Sequence, residues 1–211
     1  AMRNDYTGFY SPNNQLGATT ELEAIELTAA HEYHHAIQFG YDVYEKSWLF
    51  EATATEMEEQ IYDEINDCHT WLPGWFADPQ KSLDHPSDHW YGSFIFPQYI
   101  FEHFGGYITL RRIWQESVSI DSYYGDFSHQ AISLALSNEG SSFSDALNKM
   151  VIANRVMSSS ANAGVFSYEE ADIYPVNGPA TFQTITYSAG TDQSVTSTNL
   201  PRFASQYTRV N

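Results

Sequence analysis

Between residues 21 and 39 the chain carries no Gly or Pro, and apolar side chains return at Leu22, Ile25, Ala29, Tyr33 and Ala36, a helical spacing. The pattern predicts a helix over 21–39 with that stripe on a core. Thr19 or Thr20 is placed to cap it, Glu21, Glu23 and Glu26 suit the positive end of its dipole, and Gly40 stands where a C-terminal Gly ends a helix. A second helix over 47–66 follows from Phe50, Ala54, Met57, Ile61 and Ile65, with Ser47 as its N-cap. The connection between them is short enough for the two helices to run antiparallel as neighbours.

Further helices are expected at about 89–104, 107–117, 128–138 and 143–158, with a kink or break where Pro97 falls inside the first of these. Residues 1–20 read as loop. Residues 67–88 are a Pro- and Asp-rich connection carrying Trp71, Trp75 and Phe76, suited to an active-site loop. From 181 the character changes: 181–187 is rich in β-branched and aromatic residues and reads as a strand, with further strands at 194–198 and 206–210. The fold class is therefore α+β, predominantly helical. A domain over 1–180 is followed by a C-terminal β segment over 181–211, either a small sheet on the helical core or the first strands of a β-domain.

Within the first helix stands His31-Glu32-Tyr33-His34-His35, an H-E-x-x-H pattern. Positions four apart share a helix face, so His31 and His35 can hold one metal ion together, and Glu32, about 100° round, can touch a water on that ion. Zinc takes imidazole nitrogen readily and makes a water it holds acidic enough to act near neutral pH. The bland alternative is an exposed helix with scattered His. A zinc site needs a third protein ligand, and Glu51 is the best candidate. His35 lies about one turn before the end of its helix and Glu51 about one turn after the start of the next, so a hairpin sets them at similar height. Trp48, Leu49 and Phe50 put this carboxylate beside apolar bulk, where it needs a partner. His34 points off the metal face. Cys68 and His69 are adjacent, but no second Cys or spaced His completes a site. His85, His103 and His129 are isolated and read as structural.

H-E-x-x-H followed by a Glu ligand on the next helix resembles the gluzincin metallopeptidases. The phrase over 31–38, with Trp48-Leu49-x-Glu51-Ala52-Thr53-Ala54 after it, is similar to a group of secreted bacterial metalloproteases. The resemblance covers roughly residues 20–175, with its sharp motifs inside 31–59. It implies a zincin-like catalytic domain, zinc on His31, His35 and Glu51, and Glu32 as general base. An oxyanion partner from a later helix is also implied: Tyr91 first, His89 second. Many gluzincins carry an acidic residue four after the Glu ligand to support a ligand His. Here that position is Thr55, and Thr55, Glu56 or Asp42 is expected in that role. The spacer to Glu51 is shorter than in the best-known members. The sheet that usually precedes the motif helix has little room in residues 1–20, so it is reduced, replaced by the C-terminal strands, or upstream.

Composition narrows the field. A net charge of −18 with only three Lys argues against nucleic acid or an anionic membrane as partner and fits a secreted protein. Acidic stretches such as Glu56-x-Glu58-Glu59 and Asp63-Glu64 could take calcium, though without EF-hand spacing, and otherwise read as a solvated helix face. One Cys means no intramolecular disulfide, and no apolar run reaches membrane-spanning length. The start Ala1-Met2-Arg3 is not a signal peptide, in keeping with a signal and propeptide already removed. The expected activity is endopeptidase cleavage of a protein or peptide substrate. The competing readings are an aminopeptidase, for which no G-x-M-E-N-type segment is present, a non-catalytic zinc-binding or adhesive module, and a chance motif in a helical interaction domain.

Overall fold

The computed structural model describes residues 7–8, 17–18, 20–120, 127–186, 190, 194 and 199–211. Thr19 and the strand expected at 194–198, apart from Ser194, lie outside them. Eight α-helices carry the described chain: α1 Glu21–Tyr41, α2 Ser47–Ile61, α3 Leu72–Ala77, α4 His89–Gly92, α5 Ile95–His103, α6 Gly106–Ser117, α7 Ser128–Ser137 and α8 Phe143–Val156. Short 3₁₀ turns stand at Asp67–Trp71 and Ala161–Phe166, and two three-residue strands, β1 Gln183–Ile185 and β2 Thr208–Val210, complete it. The architecture is predominantly helical with little strand.

α1 starts where its capping chemistry dictates. The Thr20 hydroxyl accepts from the Glu23 N–H at 3.2 Å, and the Glu23 carboxylate accepts from the Thr20 N–H at 2.9 Å, a reciprocal capping box. Gly40 does not end the helix. It stays helical, and α1 runs to Tyr41, where Asp42 turns extended and its N–H reaches the Gln38 carbonyl. α2 ends at Ile61, short of the expected 66, and Lys46 rather than Ser47 occupies its N-cap position.

Which face of α1 is buried differs from the expectation. Leu22 is 62% and Tyr33 70% exposed, and Ala36 is exposed too, while Ala24, Leu27, Ala30 and Gln38 are buried. Of the expected stripe, Leu22, Tyr33 and Ala36 face solvent while Ile25 packs against Ala24 and Leu27, and the His face turns inward. The reason lies in partners: α2 offers acceptors to the polar groups of α1, so those groups can be buried at no net loss of hydrogen bonds. The small side chains of Ala24 and Ala30 then let the helices close. The acidic run on α2 is likewise no solvated face: Glu56 is 0% and Glu59 3% exposed.

α5 is the centre of the core. Ile95, Phe96, Tyr99 and Ile100 are all buried in it, and its polar side chains Gln98 and Glu102 bond to each other at 2.8 Å. The break that Pro97 demands falls one turn earlier. Pro97 has no N–H for the Ser93 carbonyl, and the chain pauses at Ser93 and Phe94 between α4 and α5. The Ser93 carbonyl accepts from the Phe96 N–H at 3.0 Å instead, and the Ser93 hydroxyl shares its one proton between the Leu83 and His89 carbonyls.

The C-terminal strands pair in parallel, Gln183 with Thr208 and Ile185 with Val210. The tail is stitched to the helical part through Leu83 N–H to Phe203 O, Ala180 N–H to Phe76 O and Ser205 N–H to Pro79 O. Phe203 packs edge-on against Phe143, and the Tyr207 hydroxyl donates to the Val151 carbonyl. Among the described residues no strand precedes α1, and no helix is long and apolar enough to cross a membrane.

The inward and outward faces of α1 can be told apart by truncation. Leu27→Ala should destabilise the protein by about 2 kcal/mol through lost burial, while Leu22→Ala should stay within about 0.5 kcal/mol. Chemical denaturation of both variants measures this, and the reverse order would mean that the Leu22 stripe packs inward.

Candidate metal centre

The α1–α2 hairpin brings His31, His35 and Glu51 together. His31 Nε2 stands 3.2 Å and His35 Nε2 3.7 Å from the same Glu51 oxygen, and the two imidazole rings meet edge to face with centroids 4.6 Å apart. Ligand atoms about 2.1 Å from a tetrahedral zinc stand about 3.4 Å from one another, so both distances match a shared ion. All three side chains remain partly exposed, which leaves the fourth direction open to solvent.

Proton positions sharpen this. Gln38 is buried and its amide nitrogen donates to the Phe50 carbonyl at 3.0 Å and to the Thr53 hydroxyl at 2.8 Å. A carbonyl can only accept, so the Gln38 oxygen must be the atom 2.6 Å from His35 Nδ1, and that nitrogen must carry the proton. His31 Nδ1 faces Glu58 at 2.5 Å in the same manner. Both rings therefore point an unprotonated Nε2 at the Glu51 carboxylate unless an imidazolium proton or a metal cation lies between. In the metal-free chain that cation is a proton. Burial alone would lower the His31 pKa, but Glu51 and Glu58 outweigh it and raise it to about 9. Burial would raise Glu51, but hydrogen bonds from His31 and His35 hold it at about 2.

Glu58 and Gln38 are thus the residues that orient the ligand rings, not Thr55, Glu56 or Asp42. The Thr55 hydroxyl is buried without a hydrogen-bond partner, and Glu56 lies in the interior. The signal for Glu58 was present as spacing, because seven residues after Glu51 is two turns along the same face. Gln38 likewise follows His35 by three.

Tyr91, on α4, reaches the same site. Its ring stacks on Trp71 at 4.8 Å and lies 6.3 Å from the His31 ring, with Glu51 among the carboxylates nearby. Gly92 allows that placement, since a Cβ there would meet Trp75 Cβ at 3.0 Å. Burial, then the nearby carboxylates, raise the Tyr91 pKa, so the phenol stays a donor. His89, two residues earlier, points to the other side of α4 and stacks on Trp75 at 4.4 Å. Burial, followed by Lys81 and His85, lowers its pKa to about 4.

Glu32 is half-buried on the flank of α1, beside an open groove walled by Ala29, Tyr33, Ala36 and Ile61. His34 points elsewhere, into an apolar cavity between α1, α2 and α6, and burial followed by the charges of His35 and His31 lowers its pKa to about 4. His103 and His129 have structural settings: His103 Nε2 reaches the Ser167 carbonyl at 2.8 Å, and His129 packs on Phe143 and Phe203. Comparison with known protein families, characterised proteins and solved structures finds no match to this chain.

Two outcomes follow from the geometry. Glu58→Gln should weaken zinc binding by about 10–100-fold, while Thr55→Ala should leave it unchanged; competition with a chromophoric chelator reads both. Because zinc must displace the proton held by His31, whose metal-free pKa lies above its usual 6.5, apparent affinity should rise with pH by about tenfold per unit below about 9. Calorimetry at pH 7 in buffers of different ionisation enthalpy should show about one proton released per zinc; no proton release would contradict it.

Proposed function

We propose that the chain is a zinc-dependent peptidase of the gluzincin type, with a zincin-like catalytic domain, that hydrolyses internal bonds of protein or peptide substrates outside the cell. The observation that carries this reading is the convergence of two imidazole Nε2 atoms and one carboxylate oxygen, each ring fixed from behind, on a point open to solvent. A structural site has no use for an open side, nor for a carboxylate such as Glu32 next to its first ligand.

Bound zinc supplies Lewis acidity, acidifying a water and polarising the scissile carbonyl. Glu32 takes the proton of the attacking water and passes it to the leaving amine. The Tyr91 hydroxyl, kept protonated by its raised pKa, donates to the carbonyl oxygen as charge builds there. Glu58 and Gln38 hold His31 and His35 in the required tautomer. The apolar groove beside Glu32 offers a track along which an extended peptide can lie. The strongly negative chain disfavours nucleic acid and anionic membranes as partners.

Casein cleavage that a chelator abolishes and added zinc restores tests the reading. Glu32→Gln should keep zinc and lose on the order of 10²–10⁴-fold in turnover, and His31→Ala should lose both. Tyr91→Phe should lower kcat by about 10²-fold with zinc content unchanged. Full turnover in Glu32→Gln would overturn the assignment of the base. Zinc without cleavage in the parent chain would make it a non-catalytic zinc-binding module.

A further inference from the structure

Away from the first centre, the end of α2 meets the 3₁₀ turn and the segment 168–174. Cys68 Sγ lies 2.9 Å from a Glu59 oxygen, and His69 Nε2 lies 3.2 Å from a Glu170 oxygen. Donor atoms of Glu59, Cys68 and His69 fall within 4.8 Å of one another, and all three residues are buried. We propose that Glu59, Cys68 and His69 form a second metal centre, a buried structural site for zinc in which Glu170 pairs with the far nitrogen of the His69 ring, tying α2 to the 3₁₀ turn and the segment around Glu170.

The donor set selects the ion. A thiolate and an imidazole beside carboxylates suit zinc, whereas calcium and magnesium take oxygen ligands. The surroundings lack a counter-charge. Among the described residues no Lys or Arg forms an ion pair with Glu56, Glu59 or Glu170. Two further observations point to a missing cation. The Glu56 carboxylate is fully buried and faces Glu59 and Glu102, with only the Gln60 amide as a neutral neighbour, and His69 Nδ1 is buried without a partner although the residue is only 1% exposed. The cluster is closed to substrate, so its role is to brace. Trp71, which stacks on Tyr91, ends the turn that holds Cys68 and His69.

The test is independent of the peptidase reading. The full chain carrying His31→Ala and His35→Ala, stripped of metal and titrated with Co2+, should bind about one ion per chain with a thiolate-to-cobalt charge-transfer band. Adding Cys68→Ser should remove that band. Elemental analysis of the unaltered chain should give about two zinc ions. Absence of cobalt binding in the His31/His35 variant, or binding without the thiolate band, overturns the second centre. If that variant does not fold, the unaltered chain decides: two cobalt ions with the band uphold the site, and one without it refutes it.

Discussion

The Phe50 carbonyl can only accept a hydrogen bond, and the proton arrangement of the candidate metal centre follows from that. It fixes the Gln38 amide, whose oxygen then claims the proton on His35 Nδ1 and turns the Nε2 lone pair toward Glu51. Glu58 does the same for His31. Two imidazole lone pairs then converge within 3.7 Å of the Glu51 oxygen, an arrangement that repels itself unless a cation sits in it. The metal-free chain meets that demand with a proton on His31, which is why its pKa climbs to about 9 despite burial.

The same constraint explains how α1 lies. A helix with an apolar stripe would ordinarily turn it inward. Here Leu22 and Tyr33 face solvent, because the opposite face carries groups that only α2 can satisfy. His31 needs Glu58 and Glu51, His35 needs Gln38, and Gln38 needs Phe50 and Thr53. Turning the helix over would bury the stripe but break these bonds, and buried groups without partners cost more than a few exposed apolar side chains. Ala24 and Ala30 complete the fit by letting the two helices approach along that face.

Much of this was legible in the sequence where the cause is local. The start of α1 near Thr20, the helices over 47–61, 106–117, 128–137 and 143–156 and the break near Pro97 depend on neighbours within one or two turns, whereas α3, Leu72–Ala77, falls in a stretch that reads as a connection. His31, His35 and Glu51 could be grouped because a short connection leaves a helical hairpin little freedom. The failures share another cause. The inward face of α1 depends on which polar groups find partners across the hairpin, and spacing within one helix carries no record of that. Glu58 takes the supporting role that the gluzincin pattern gives to position 55, and only its seven-residue interval from Glu51 marks it in the sequence. Cys68 and His69 looked incomplete because their partners stand nine residues back and about a hundred ahead, joined only by the tertiary fold.

α2 links the two clusters through its acids. Glu51 and Glu58 share one face and attend the imidazoles; Glu59, a further 100° round, turns toward Cys68. Carboxylates this deep in a chain with so few Lys and Arg must be neutralised by protons or by metal ions. Protons serve up to the raised pKa of each group. Glu59 and Glu102, raised by burial to about 8 and about 7, keep their protons in the folded state after the unfolded chain has lost its own near 4.5. The stability this lends is complete below 4.5 and is lost as pH rises through 7 and 8. A divalent ion among such groups works in the opposite direction, binding more tightly as protons leave. Once pH passes the point where Glu59 and Glu102 hold their protons, a metal ion becomes the more effective neutraliser of these buried acids.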